Sequence, residues 1–181
     1  MARVRKNLVL GELSGKLGNL VVRQLNGKSV VQTAPTRTAA FTEGELQNQR
    51  SFKEANAYAQ RARQNPALWA RYAAEAKKRG GTSNAHAVAL SDFRHPPVLH
   101  TLAVAAEERT AQRTLRIQAS DNFGVERVEV NFYQTGWQTT ALAEQITGDT
   151  WELPLPVGVI GEVVVTIFDY AGNVVNGSIL V

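Results

Sequence analysis

Cysteine is absent from this chain, and its absence excludes several kinds of chemistry at once. A disulfide framework, a thiol nucleophile, a thiolate zinc site and an iron–sulfur cluster all require cysteine side chains. We therefore expect domains that are stabilised by their hydrophobic cores alone. The length of 181 residues and the hydrophobic content of 44% suffice for one domain or for two small ones.

Long apolar segments are also absent. No stretch approaches the roughly 18 apolar residues that a membrane-spanning helix needs. The basic start is followed by Leu8-Val9-Leu10, which ends at Gly11 and is far too short for the hydrophobic region of a signal peptide. We therefore expect no membrane span, no signal peptide and synthesis in the cytoplasm.

Catalytic and metal-binding signatures are the third absence. The sequence contains no Gly-x-Ser-x-Gly elbow, no P-loop and no dinucleotide-binding fingerprint after a strand. The spacing of His86, His95 and His100 matches no metal-ligand signature. Asp121 and Asp169 stand in Asp-x-x-Gly patterns, which are more typical of Asx turns than of calcium sites with about six or more oxygen ligands. The sequence therefore predicts no enzyme activity, no metal, no cofactor and no small-molecule substrate.

Charge is plentiful but unevenly distributed. Residues 1–97 contain 16 Lys and Arg against 6 Asp and Glu, a net charge of +10. Residues 98–181 contain 4 and 10 respectively, a net charge of −6. A basic half attracts an anionic partner, which is either the acidic half of another copy or a nucleic acid.

Residues 8–34 have the pattern of strands with tight turns. The β-rich segments 20–25 and 28–32 flank Asn26-Gly27, the strongest short signal for a hairpin, because a type I′ turn needs positive φ at both central residues. An isolated hairpin is only marginally stable, so we expect this arm to dock on its own helices or on a neighbouring subunit. The residues assigned to the assembly arm are Gly15, Gly18, Asn26 and Gly27, with Arg3, Arg5 and Lys6 as its basic tip.

Residues 35–97 change to the periodicity of helices. A first helix begins at Thr42, which forms a capping box with Glu45. A second has Asn65 as its cap and Pro66 at its first position, and ends at Gly80-Gly81. A third, short helix is stopped by residues 95–97. The inward residues of the three helices are Phe52, Ala55, Ala59 and Ala62; Trp69, Tyr72, Ala73 and Ala76; and Ala85, Val88, Ala89 and Phe93.

Residues 98–181 alternate apolar and polar side chains with the period of strands. In one of these segments Val128, Val130 and Phe132 share a face, and Trp151 in another is expected in the core. About seven short strands separated by turn signals predict a β-sandwich of the immunoglobulin-like type. The predicted strands are 99–105, 113–119, 125–133, 138–146, 150–155, 162–168 and 174–181.

Two motifs in this region resemble bacterial immunoglobulin-like domains. One is Ala119–Val125 with Val128-Glu129-Val130 after it, and the other, Thr166–Asn173, is similar to the last turn of that family. The resemblance covers most of residues 98–181. It implies an immunoglobulin-like fold and an adhesive or structural use on virions, fibres or surface arrays, rather than catalysis.

The first half of the chain resembles uncharacterised bacterial and prophage-associated proteins. The resemblance rests on Gly15–Val22, on Asn26–Lys28 and on helix residues such as Tyr58-Ala59. It implies an arm followed by short helices. The helical part is also faintly similar to the high-mobility-group box, although its third helix is shorter and no basic strand adjoins its first helix. The residues that carry this second likeness are Phe52, Pro66, Trp69, Tyr72 and Lys77–Arg79.

Together these patterns predict an α+β protein of two domains, a β-hairpin arm with a small three-helix region in residues 1–97 and an immunoglobulin-like antiparallel β-sandwich in residues 98–181. The function we expect is a non-enzymatic structural subunit of a homomeric or phage-like assembly, such as a filament, virion or injection machine. Its partners are other copies or other assembly proteins, so the chain ends up in an assembled particle or filament. The alternative is a nucleoid-type DNA-binding protein, whose phosphate-binding residues are Lys77, Lys78 and Arg79.

Overall fold

A computed structural model describes residues 2–4, 14–25, 28–81, 83–106, 112–134 and 136–181, with the backbone alone at residues 2–4 and 28. The chain divides into two compact units, Met1–Glu43 and Gly44–Val181. The first contains strands only, and the second contains three helices and eight strands among the described residues. The domain boundary predicted between residues 97 and 98 lies inside the second unit, at the change from helix to strand.

The first unit is an antiparallel sheet with the strand order β1-β4-β3-β2. Its strands are β1 (Ala2–Val4), β2 (Gly15–Leu17), β3 (Leu20–Leu25) and β4 (Lys28–Thr33). Leu25 pairs with Lys28, so β3 and β4 form the predicted hairpin, while Asn26 and Gly27 at its tip lie outside the described residues. The sheet therefore has two more strands than a single hairpin.

Three helices open the second unit: α1 (Glu43–Ala62), α2 (Pro66–Arg79) and α3 (Ala85–Arg94). The Asn65 side chain accepts a hydrogen bond from the Leu68 amide, and Asn84 caps α3 in the same way through the Ala87 amide. None of these three helices is long and apolar enough to cross a membrane.

Most of the predicted inward helix residues are buried or half-buried, but two are not. Ala59, Tyr72 and Val88 belong to one buried cluster. Phe52 is 53% exposed, and Ala73 is exposed as well, so the placement of these two on inner faces was wrong. The periodicity of a helix defines a stripe, but the position of its neighbours decides how much of the stripe is covered.

The rest of the second unit forms two antiparallel sheets of four strands each, with the orders β5-β6-β10-β9 and β12-β11-β7-β8. The described strands are β5 (Val98–Ala106), β6 (Arg113–Ser120), β7 (Val125–Gln134), β8 (Trp137–Leu142), β9 (Glu144–Thr147), β10 (Thr150–Leu155), β11 (Glu162–Asp169) and β12 (Val174–Leu180). They reproduce the predicted strands with one exception. The segment 138–146 divides at the buried Ala143, because the chain there leaves one sheet and enters the other.

One hydrophobic core joins the two sheets. Val128, Val130 and Phe132 of β7 are buried, as their alternation predicted, and they belong to the same cluster as Trp151 of β10 and Ile167 of β11. Every strand pair that the structure describes is antiparallel, so the fold is mixed α+β with two stacked antiparallel sheets in the C-terminal part.

Gly177 of β12 lies where the edge strands of the two sheets approach each other. A Cβ at this position would overlap Cδ2 of Leu99 on β5 and would lie 3.9 Å from Leu102 Cδ2. We expect Gly177→Val to lower the free energy of unfolding by about 1–3 kcal/mol through overpacking, as measured by urea denaturation. Ser178→Val adds a similar side chain at the next, exposed position, where the expected change is within about 0.5 kcal/mol. Equal losses in the two variants would contradict a packing effect.

Candidate functional site

The sheet of the first unit has almost no core of its own. Val22 is the one apolar side chain of this unit that is buried among the described residues, at 5% exposure. Leu17 pairs directly with Leu20, and Val22 with Val31, so these four side chains lie on one face of the sheet. Leu17 is 67% exposed and Leu20 is 44% exposed, so a large part of this apolar face is open to solvent in the single chain.

The predicted arm residues fall partly within the described region. Gly18 lies in the two-residue turn between β2 and β3 with φ of +58°, a left-handed conformation that favours glycine. Gly15 begins β2 with φ of +127°. Arg3 is placed by its backbone in β1, opposite Val30. Asn26, Gly27, Arg5 and Lys6 lie outside the described residues.

The predicted phosphate-binding residues stand at the C-terminal end of α2, where two of them are engaged within the chain. Lys78 Nζ lies 3.4 Å from Glu75, and Arg79 Nε donates to the same carboxylate at 3.1 Å. This hydrogen bond from Arg79 lowers the pKa of Glu75. Arg79 also donates to the carbonyl oxygen of Asn122 at 2.6 Å, so its guanidinium fastens α2 to the C-terminal sheets.

The helices pack onto one end of the C-terminal sheets, where the β6–β7 turn (residues 121–124) and the β11–β12 turn (residues 170–173) lie. Phe123 of the first turn contacts Tyr72 with ring centroids 4.4 Å apart, and it contacts Tyr170 of the second turn at 5.5 Å. The Arg71 guanidinium lies over the Tyr170 ring and donates to its hydroxyl. Aromatic contacts therefore join three separate segments of the chain.

Hydrogen bonds reinforce this junction. Asn122 donates to Ser91 Oγ at 3.0 Å, and Asn173 donates to the carbonyl oxygens of Asp92 and Phe93 at 3.2 and 3.3 Å. Both donors belong to turns of the sheets, and all three acceptors belong to α3. The sheet turns therefore hold α3 in one position, which fixes the place of its Asp92 side chain.

Three carboxylates meet at this junction, and we call them the aspartate cluster: Asp92 on α3, Asp121 at the start of the β6–β7 turn and Asp169 at the end of β11. One carboxylate oxygen from each lies within 4.8 Å of the other two. Asp92 and Asp169 are buried, and Asp121 is half-buried. No lysine, arginine or histidine of the described residues forms an ion pair with any of the three, so the cluster concentrates negative charge away from water.

Several donors hold the three carboxylates in place. Tyr72 donates its hydroxyl to Asp92 Oδ2 at 2.5 Å, and the Tyr58 hydroxyl lies 2.7 Å from that of Tyr72. Asp121 Oδ1 accepts the amides of residues 123 and 124, as in the predicted Asx turn. Asp169 accepts both the amide and the side-chain amide of Asn173, each at 2.7 Å. Two oxygens in this cluster still have no hydrogen-bond donor: Asp92 Oδ1 and Asp121 Oδ2.

The electrostatics follow from burial. Desolvation raises the pKa of Asp92 to about 7, although the hydrogen bond from Tyr72 lowers it, and the charges of Asp169 and Asp121 raise it further. Desolvation likewise raises the pKa of Asp169, against the lowering effect of its hydrogen bonds from Asn173. Burial and the hydrogen bond to Asp92 raise the pKa of Tyr72 well above that of a free phenol. Each shift favours a neutral form, so concentrated negative charge is costly here.

An open cavity of about 440 Å³ adjoins the cluster at Asp121. Arg71, Glu75 and Lys78 line it from α2, and the sheets line it with Asp149 and Trp151. The indole Nε1 of Trp151 is buried without an acceptor. The cavity therefore brings solvent to the Asp121 side of the cluster.

The histidines contact ordinary polar partners. His86 Nε2 lies 2.9 Å from Asn56 Oδ1, and His100 Nε2 lies 2.6 Å from Ser120 Oγ. His95 Nδ1 lies 2.7 Å from the carbonyl oxygen of Ser91.

Two of the three aspartates of the cluster stand in recognisable sequence patterns, but no pattern predicts that they meet the third. The Asp-x-x-Gly patterns mark Asp121 and Asp169 as turn residues, whereas a single aspartate in a short helix, such as Asp92, is too common to indicate a site. The available signal was a polar residue on the buried stripe of α3, since Asp92 stands four residues after Val88 and three after Ala89.

No protein-family model matches this chain, and searches of curated proteins and of solved structures also give no significant match.

Proposed function

We propose that this protein is a non-enzymatic structural subunit that assembles head to tail with copies of itself, as in a filament or a phage-like particle. The observation that carries the proposal is the four-stranded sheet of the first unit, whose apolar face is largely exposed in the single chain. A sheet with one buried apolar side chain among its described residues gains little stability from its own packing. A neighbouring subunit that covers the apolar face would supply the buried contacts that the sheet lacks.

The distribution of charge over the two units supports a second copy as the partner. Residues 1–43 contain seven Lys and Arg against two Asp and Glu, a net charge of +5. In the second unit the helical segment 44–97 carries +5 and the sheet segment 98–181 carries −6, so its net charge is −1. The unbalanced positive charge therefore resides in the first unit, and the acidic sheets of another copy complement it.

The C-terminal sheets expose an apolar surface that suits such a contact. Trp137, Val157 and Ile160 are 78%, 95% and 73% exposed, and we call these three residues the apolar tip. Gln134 pairs with Trp137, bridges to Val159 and donates to the carbonyl oxygen of Val157, which brings the two segments of the tip together. Since β7 begins at the helix-bound turn and ends beside Trp137, the tip lies at the other end of the sheets.

We further propose that the two sheets form an immunoglobulin-like sandwich. Their strand orders correspond to the A-B-E-D and G-F-C-C′ sheets of that architecture when β5 is taken as strand A. Such sandwiches carry binding surfaces on the loops at their two ends. Here the helices occupy one end, and the other end, which presents the apolar tip, remains available to a neighbouring subunit.

The basic end of α2 does not favour the alternative of DNA binding. Lys78 and Arg79 share Glu75 as a partner, and Arg79 also holds Asn122. The assembly therefore remains our proposal, with the first unit as one contact surface and the apolar tip as the other.

Light scattering coupled to size-exclusion chromatography tests this proposal. We expect the wild-type chain to gain mass as its concentration rises, and Leu17→Ser/Leu20→Ser to weaken association by about 100-fold, because burying two leucines contributes about 3 kcal/mol. Trp137→Ser should have a similar effect through the apolar tip. A wild-type chain that stays monomeric at high concentration overturns the proposal.

Mixing the two variants distinguishes head-to-tail contacts from other arrangements. The Trp137→Ser chain keeps an intact first unit, and the Leu17→Ser/Leu20→Ser chain keeps an intact apolar tip. A pair of unlike variants can therefore form one contact between these two surfaces. We therefore expect dimers in the mixture and monomers in each variant alone. Tyr133→Ser, at an exposed aromatic residue of β7, is the matched control and should assemble like the wild type.

A further inference from the structure

The aspartate cluster contains more buried negative charge than its hydrogen bonds compensate. Asp92 is fully buried, and its Oδ1 accepts no hydrogen bond even though its Oδ2 accepts the Tyr72 hydroxyl. Asp121 Oδ2 is also buried and unpartnered. A buried carboxylate oxygen without a partner costs free energy, so the cluster needs a positive charge to balance it, from a bound cation or from a proton.

We propose that the aspartate cluster binds one divalent cation of the calcium class, which fastens α3 to the β6–β7 and β11–β12 turns. The three segments are distant in sequence, yet each supplies a carboxylate oxygen within 4.8 Å of the others, a separation that one cation can bridge. The site is independent of the proposed assembly surfaces, which lie in the first unit and at the apolar tip.

A shared proton is the competing way to neutralise the cluster. The Asp92 and Asp121 side chains lie within hydrogen-bond reach of each other, so a proton on one could be accepted by the other. One proton, however, leaves two negative charges among three carboxylates that lie within 4.8 Å. A divalent cation neutralises two of the three charges and binds both unpartnered oxygens, which is why we favour it.

The chemistry of the ligands selects the class of cation. The three candidate ligand atoms are carboxylate oxygens, and hard cations such as Ca²⁺ prefer carboxylates, carbonyls and water. Ca²⁺ tolerates irregular geometry, whereas Mg²⁺ demands a near-ideal octahedron and keeps several of its waters. Carboxylates held by three separate segments suit the more tolerant ion, and the cavity beside Asp121 admits the water that would complete its coordination.

A thermal-denaturation experiment on the full chain tests the site. Protein that has been stripped with EDTA and dialysed free of it is titrated with CaCl₂, and separately with MgCl₂. Because a ligand of the folded state stabilises it, we expect saturating Ca²⁺ to raise Tm by about 5–10 °C, with a smaller effect of Mg²⁺. Isothermal titration calorimetry should give one Ca²⁺ per chain.

Asp92→Asn is the decisive variant, because asparagine can still accept the Tyr72 hydroxyl and can donate to Asp121 Oδ2. It should fold, and it should lose at least tenfold in Ca²⁺ affinity together with the Ca²⁺-dependent rise in Tm. Glu162→Gln makes the corresponding change at an exposed carboxylate at the opposite end of β11 from Asp169, and it should respond to Ca²⁺ like the wild type.

Two results would overturn the proposal. If the Tm of the wild type does not respond to either cation and calorimetry shows no binding, a proton neutralises the cluster instead. If Asp92→Asn keeps the full response, the cation binds elsewhere on the chain. Because the titration of the wild type stands by itself, a variant that failed to fold would still leave the proposal open to refutation.

Discussion

Replacing Tyr72 with alanine is expected to lower the free energy of unfolding of the second unit by about 3–5 kcal/mol. Tyr72 is a large, fully buried side chain, and its ring packs against Phe123 and lies near Trp69. Its loss would open a cavity between the helices and the sheet turns and would remove the donor to Asp92. Urea denaturation followed by tryptophan fluorescence measures the change.

Two companion variants separate packing from hydrogen bonding at this site. Tyr72→Phe keeps the ring but leaves Asp92 Oδ2 without its donor, so a loss of about 1–3 kcal/mol is expected. Tyr133→Ala removes a tyrosine that is more than half exposed on β7 and should change stability by about 0.5 kcal/mol or less. A Tyr72→Ala variant as stable as Tyr133→Ala would show that the helices do not depend on this contact.

The second large effect is a pH dependence of stability in the metal-free chain. The pKa of Asp92 is about 7 in the folded state and near 3.8 as a free side chain, because burial disfavours its charged form. Between these values the folded chain holds a proton that the unfolded chain has released. Stability therefore falls as the pH rises from about 4 to about 7, by an amount on the order of 3 kcal/mol, and this contribution is constant at higher pH.

Urea denaturation in EDTA at a series of pH values measures this dependence, and Asp92→Asn provides the reference. The groups that face Asp92 are Tyr72, Asp121 and Asp169, and all of them remain in the variant. The difference between wild type and variant therefore isolates the proton on Asp92. Parallel curves for the two proteins between pH 4 and pH 7 would exclude a raised pKa for this carboxyl.

Local sequence patterns were sufficient to predict most of the helices and strands. Alternation along Val128, Val130 and Phe132 identifies a strand with one buried face, since side chains in a strand point to opposite sides in turn. Asn65-Pro66 marks the beginning of α2, because both residues satisfy local requirements of a helix start. These signals depend on a few neighbouring residues and so can be recognised from the sequence.

The misplaced residues depend on contacts between distant segments. Phe52 lies on the expected stripe of α1, yet it remains 53% exposed because no other part of the described chain covers it. Ala143 interrupts a run of strand-like residues where the chain passes from one sheet to the other, and nothing in its local pattern distinguishes it from a residue within a strand.

The sequence by itself determined the helices, the strands, the hairpin and the excess of positive charge in the first half of the chain, because periodicity, turn residues and charge are local properties. Only the tertiary structure decided that the helices pack onto the C-terminal sheets within one unit, which balances most of their opposite charges and leaves the first unit basic. It also decided that Asp92, Asp121 and Asp169 share one buried site, because the meeting of three segments so distant in sequence depends on how all the intervening elements pack.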